Sequence, residues 1–465
     1  MSVKRSARVL AAVALVASAA IAVLAAPASG ITVSDEAALR AAFADTTETS
    51  ITLTADIDLT DCAAGDVTRP PASAPLTLSG AFTITQTCAG ERVIGSDRDL
   101  ETGALTVNDV TITGGTLADP LATFTYGGGI LWNGDLTLNR TAVVGNSAMA
   151  FLGGWGGGVF VEGTLTANQS TISENEANSI GNFPGHGGAL FVIGSATFTD
   201  STIADNIASG EAAGGNGGAG AVKGHLVLLR TTVSGNVARQ SASGDVPAWG
   251  GGIFGDTLDV IDSTVTANVA EGAASHAGGV EGGALTIAYS TIAGNSAAFE
   301  ANLGYYPHLP TDTATIFASV VSDPLGGGAN CFAMQPIVSQ GYNHVTDDSC
   351  GLTATGDVQS GEDPLLGALA NNGGLTLTRQ PALTSPLLDR VPLDHCQDGA
   401  GAGVATDQRD LMRPQGAGCD VGAVEVTVTV SPTSPQSPTA PSEPPQGPEA
   451  TTAPSAVLLA PRFTG

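Results

Sequence analysis

Between residues 140 and 300 one polar and apolar pattern recurs: Ser or Thr, any residue, Ile or Val, two residues, Asn, one residue, Ala. Its copies centre on Asn146, Asn175, Asn206, Asn236, Asn268 and Asn295. The aliphatic position is Val143, Ile172, Ile203, Val233, Val265 or Ile292, and the alanines run from Ala148 to Ala297. Successive Asn residues are 29, 31, 30, 32 and 27 apart. So regular a period marks a stack of like units, and the chain reads as a solenoid. Between the cassettes lie glycine runs followed by apolar residues, such as Gly127-Gly128-Gly129-Ile130, Gly156-Gly157-Gly158-Val159 and Gly250-Gly251-Gly252-Ile253. Short alternating stretches come next, Leu136-Thr137-Leu138 among them. Alternation of apolar residues with Thr is a strand signal, and so much glycine opposes helix.

Each unit of about 30 residues thus predicts about three short strands separated by turns. The fold class is all-β, a single-stranded parallel β-helix. A right-handed winding is expected, as for parallel crossovers generally. The Ile and Val positions would stack inward. The Asn would bridge a tight turn, where it tolerates left-handed backbone, and hydrogen-bond along the ladder. A weaker rung ends at Gly114-Gly115, with Gly115 in the Asn place, and alternating stretches from Ile51 to Ile84 predict the first coils. Ten rungs would give a rod roughly 50 Å long. Residues 34–45 predict a short helix capped by Ser34, whose apolar face (Ala38, Leu39, Ala42, Phe43) would close the open end of the stack.

The ends change the picture. Lys4, Arg5 and Arg8 precede an apolar run from Val9 to Ala26, and Ala26-Pro27-Ala28 fits a cleavage site, so residues 1–28 read as a secretory signal peptide. No integral membrane segment is expected in the mature chain. The net charge is −28, which opposes nucleic acid and anionic lipid as partners. The six cysteines argue for disulfides in an oxidising compartment. Fifteen connectivities are possible for six cysteines. The sequence-local set is favoured: Cys62–Cys88, Cys331–Cys350 and Cys396–Cys419. The organisation that follows is signal peptide 1–28, N-terminal cap and first coils 29–100, β-helix repeats 101–330, a C-terminal module 331–426, and a Pro/Ser/Thr-rich stalk and tail 427–465.

The Gly-Gly-apolar and Ile/Val-x-x-Asn elements resemble the repeats of polymorphic outer-membrane-protein adhesins, with Ile or Val here in place of Phe. A longer resemblance runs from Gly341 to Glu425. It rests on Gly341-Tyr342-Asn343, Asp363-Pro364-Leu365-Leu366-Gly367, Asn371-Asn372-Gly373-Gly374-Leu375, Ser385-Pro386-Leu387-Leu388-Asp389, Asp407-Gln408-Arg409, Arg413-Pro414-Gln415-Gly416 and Cys419-Asp420-Val421-Gly422. This segment is similar to the choice-of-anchor Q family of secreted bacterial β-helix proteins. The resemblance implies a module that ends a β-helix and precedes a surface anchor, and implies no catalysis.

One constellation suggests binding. Tyr126, Trp155, Trp249 and His276 each sit three residues before the last Gly of a glycine run, with His186 one place off. Stacking would set them in a column on one edge. A row of aromatics can hold sugar rings, or the rings can simply pack on one another to cover the turn. Gly185-His186-Gly187 is similar to an element of polygalacturonases but occupies the ordinary glycine slot, so a turn histidine is expected. Asp256, Asp259 and Asp262 fit no calcium motif and read as a solvated strand face. No catalytic residue, metal site or cofactor is predicted. The expected function is a secreted or cell-surface rod with a structural, adhesive or carbohydrate-binding role, its partner a carbohydrate or a cell-surface protein. The alternative is a polysaccharide lyase or glycoside hydrolase of the pectate-lyase-like type.

Overall fold

The computed structural model describes residues 30–427 except 182, 212–213, 241–245 and 397–404. The expected signal peptide, and the tail from residue 428 on, lie outside the described residues. The chain winds as a parallel β-solenoid. One coil runs through Ile130–Trp132, Leu136–Asn139, Ala142–Val144 and Ser147–Ala150, then the short edge strand Gly154–Trp155. The first two segments of each coil belong to sheet A, the third to sheet B and the fourth to sheet C. Three strands per coil were expected. There are more because sheet A bends at Gly134, Gly163 and Gly194, splitting its strand in two. From residue 220 that strand runs unbroken, as Gly220–Leu229, Ile253–Ile261 and Val280–Ala288.

The aliphatic positions face inward in strict register: Val143, Ile172, Ile203, Val233, Val265 and Ile292 pair coil to coil. All six are fully buried. Each such side chain contributes about 1.5–3 kcal/mol of burial free energy.

The Asn residues form a continuous ladder inside the turn between sheets B and C. Asn146 donates from its backbone N–H and its Nδ2 to Oδ1 of Asn175, at 2.9 and 3.0 Å. The same Nδ2 also reaches the carbonyls of Ile112 and Val144. The pattern repeats through Asn175, Asn206, Asn236 and Asn268 to Asn295. Gly115 stands in the Asn place one coil earlier, donating to Oδ1 of Asn146. Left-handed backbone falls on the residue before each Asn and not on the Asn itself: Gly145, Glu174, Asp205, Gly235, Ala267 and Gly294 all have positive φ. The reason is geometric. The reversal must precede the Asn so that its amide can turn inward. A second ladder of hydroxyls lines the turn between sheets A and B, where Thr141 N–H meets Ser170 Oγ and Ser170 N–H meets Ser201 Oγ, both at 3.1 Å.

The N-terminal helix is Glu36–Ala44, and its cap is Asp35, whose carboxylate accepts from Ala38 N–H at 2.9 Å. Ser34 was the expected cap; the helix begins later, which leaves the capping place to Asp35. Leu39, Ala42 and Phe43 join the core at the end of the stack. Behind the helix, the buried Arg69 guanidinium donates to the carbonyls of Phe43, Asp45, Thr46 and Glu48, satisfying the helix end and the loop after it.

Strands of the stack continue past residue 330, to His344–Val345 and Val358–Gln359. Beyond them the chain returns over the outer face of sheet B. Gln408 Nε2 donates to Thr232 Oγ1 at 2.9 Å, while its Oε1 accepts from Thr264 at 2.6 Å. Arg413, with a fully buried side chain, pairs with Glu425 at 2.9 Å and Asp262 at 3.3 Å and lies over the Tyr289 ring at 4.3 Å. This corrects the reading of Asp262 as solvated, since the returning segment buries it. The three disulfides are Cys62–Cys88, Cys331–Cys350 and Cys396–Cys419.

Replacing Asn206 with Ala leaves the buried Asn175 backbone N–H without its acceptor, removes one partner of Asn175 Nδ2, and takes away the amide bonds to the carbonyls of Ile172 and Ala204. Its expected cost is about 3 kcal/mol in chemical denaturation. Arg413→Met strands Asp262 and Glu425 as buried charges, at an expected cost of about 3–5 kcal/mol. A loss under 1 kcal/mol in the same assay would show that water reaches the pair.

Candidate functional site

The corner between the edge strand and sheet A is a glycine turn. Gly127, Gly156, Gly187, Gly217 and Gly250 all have positive φ, and a Cβ at Gly127 would lie 2.0 Å from the Ile130 carbonyl oxygen. The turn leaves the preceding residue on the outer edge. There Trp155, His186, Asn216, Trp249 and His276 are bridged coil to coil in one column, with Tyr126 paired to Trp155. His186 therefore stands in register, not one place off, because Ala189 replaces the third glycine of its run. Asn216 interrupts the rings. Phe299 stacks on His276 at 4.8 Å and extends them.

The rings largely pack on rings. Trp155 lies 5.8 Å from Tyr126 and 5.3 Å from His186, and Trp249 stacks on His276 at 4.3 Å. Beneath runs a second outward column on sheet A, with Phe160 4.8 Å from Tyr126 and Phe191 4.7 Å from Trp155. Tyr126, Trp155, Trp249 and His276 are all half-buried. Packing accounts for most of their surface and leaves an outer rim. Burial pushes the His186 imidazole down to about 4, so it is neutral at physiological pH. At the N-terminal end, Arg98 lies 3.9 Å over the Tyr126 ring and pairs with Glu162 at 3.1 Å.

At the C-terminal end the second column changes character. Glu281 stands beside Phe254, in the place that Phe holds in earlier coils. Glu300 follows Phe299. The two carboxylates are 3% and 1% exposed. Glu300 Oε1 accepts from the Tyr306 hydroxyl at 2.6 Å and meets His276 Nδ1 at 3.1 Å. Oε2 of each glutamate has no protein partner. Burial, and the charge of Glu300, push Glu281 up to about 8, so it holds its proton at neutral pH. Burial and Glu300 also raise the Tyr306 phenol. Sequence reasoning placed the column but missed this cluster. The available signal was an acidic residue at a position that is otherwise apolar. Among the described residues no group of three or more His, Cys, Asp or Glu side chains is arranged to hold a metal ion.

No family model, curated protein or solved structure matches this chain.

Because the folded pKa of Glu281 lies above its ordinary value near 4.5, its burial weakens the fold as pH rises from about 4.5 to about 8. Below that window no penalty applies; above it the penalty is complete. Glu281→Gln is expected to be more stable than the parent at pH 9 and to lose that advantage by pH 4. Thermal unfolding of both proteins across that range checks it; a constant difference would show that Glu281 is already ionised in the fold.

Proposed function

We propose that the protein is a secreted or surface-displayed β-solenoid rod that binds carbohydrate without cleaving it. One observation carries this reading: where rings and carboxylates meet, the carboxylates lie beneath the rings. A general acid must touch the glycosidic oxygen and its partner must reach the sugar ring or a water beside it. Glu281 and Glu300 are covered, whereas the rim of Trp155, Trp249 and the 53%-exposed Phe299 remains available to a ligand. Three disulfides suit an oxidising exterior. Among the described residues no helix is long and apolar enough to cross a membrane. The choice-of-anchor Q resemblance of residues 341–425 supports placement at a cell surface, with the buried Gln408, Arg413 and Glu425 of its motifs serving to tie the module to the rod.

A second reading, a polysaccharide-cleaving enzyme, is favoured by Glu281 alone, a protonated carboxyl beside another carboxylate. Electrophoresis of the protein through native gels cast with different polysaccharides separates the two. Retarded migration with no cleared zone is expected, and Trp249→Ala reduces the retardation. A cleared zone that disappears in Glu281→Gln would establish the enzyme instead.

A further inference from the structure

We propose that the loops between sheet C and the edge column form an apolar crest that seats this edge of the rod on a lipid layer with neutral headgroups. The inference goes beyond the carbohydrate-binding role above and does not depend on it. On three successive coils the loop carries a large apolar side chain on the outside: Leu121, Phe151 and Phe183 are 94%, 50% and 51% exposed. They stand in line because the loops are tied coil to coil. Phe151 N–H donates to the Ala122 carbonyl at 3.2 Å and Leu152 N–H to that of Thr123 at 2.9 Å. In the next loop a Cβ on Gly181 would lie 3.5 Å from Phe151 Cδ1. Val246 and Phe299, both exposed, occupy the same loop further along the rod.

Exposed apolar side chains scattered singly are ordinary, but these recur at one loop position on coils about 4.8 Å apart. The three loops, 120–124, 151–153 and 180–185, hold no charged residue, on a chain whose net charge is −28. Next to the tips come the rings of the edge column: Phe124 packs 5.2 Å from Trp155, and Trp155 lies 5.8 Å from Tyr126. Beyond the rings come charges, with Arg98 over Tyr126 and paired to Glu162. Apolar tips, then amphipathic rings, then charges is the order of polarity met on passing from acyl chains through the headgroup level to water.

The shape of the crest selects a fluid partner. Leu121 is almost clear of the rest of this chain, so only a partner that closes around it from several sides covers it. Acyl chains do so. A second copy does not: two convex crests meet along a line, and each copy carries the same net charge of −28. The three loops also lack Lys, Arg and His, so nothing in the crest offsets the repulsion between this acidic chain and anionic lipid. Neutral headgroups remove that repulsion and leave apolar insertion as the driving force.

Co-sedimentation of the full chain with phosphatidylcholine vesicles, and with vesicles that also contain phosphatidylglycerol, tests the assignment. Partition onto the neutral vesicles is expected, with weaker partition onto the anionic ones at low salt. Leu121→Ser is expected to lower the partition coefficient about tenfold and Phe151→Ser about fivefold, the order for burying the exposed part of one large apolar side chain. Both side chains are exposed, so both variants should keep the parent circular dichroism. Bromine on the acyl chains is expected to quench tryptophan fluorescence, less so in Trp155→Phe. Vesicle binding that both serine variants leave unchanged, or quenching that survives Trp155→Phe in full, would put another part of the chain on the lipid and overturn the proposal. Binding as strong on anionic vesicles would overturn the neutral-headgroup assignment. Binding to neither vesicle would remove the lipid partner, and a dimer in sedimentation velocity that Leu121→Ser dissociates would make the crest an interface between copies instead. Retardation in polysaccharide gels stands or falls separately, so failure here leaves the carbohydrate-binding role untouched.

Discussion

The structure depends on a buried column of asparagine amides. Each amide joins its neighbours above and below and also satisfies backbone carbonyls within the turn. An unpaired amide in an apolar interior is costly, so the ladder is favourable only when it is continuous. That condition fixes the register of every coil on the next. A slip of one residue would break the ladder and turn the Ile and Val stack toward solvent. Inward burial supplies cohesion, and the ladder selects one arrangement among many apolar ones.

With register fixed, the outer surface becomes a set of columns that are free to carry different chemistry. On the edge column, rings pack on rings. At the bend of sheet A, close approach of coils excludes side chains from Gly103, Gly134 and Gly163. On sheet B, a row of hydroxyls at Thr232, Thr264 and Thr291 receives the returning C-terminal segment. The same repeat thus builds an aromatic edge, a glycine bend and a docking face for the C-terminal segment, differing only in which residue occupies each column position. The buried Glu281 and Glu300 carboxyls sit where a ring column meets polar positions, and their environment keeps one of them neutral.

Much of this was legible in the sequence. The period of the Ile/Val-x-x-Asn cassette gave the coils and the inward stack, because a strand buried on one face repeats its pattern at every coil. The local disulfides and the capping helix were legible for the same reason, being short-range. Other features were not. The ladder continues from Asn295 to Asn302 and Asn330, yet Asn302 follows only 7 residues later, so the periodic spacing hides it. Gln408 contacts Thr232 across 176 residues, and no local pattern announces such a contact. Asp262 looked like one member of an exposed acidic run until the C-terminal segment supplied Arg413. The edge column of Tyr126, Trp155, Trp249 and His276 followed from the repeat, but the shift of His186 into register required seeing that alanine can stand for the last glycine of a turn.

Native-state hydrogen exchange of the asparagine side-chain amides, followed by NMR with selective asparagine labelling, tests the central claim most directly. The account predicts that the Nδ2 protons of Asn175, Asn206, Asn236 and Asn268 exchange as slowly as the most protected backbone amides, opening only with the stack itself. Exchange of these amides orders of magnitude faster than their neighbouring backbone N–H groups would contradict it. That result would mean that the ladder breathes independently and that apolar burial alone sets the register.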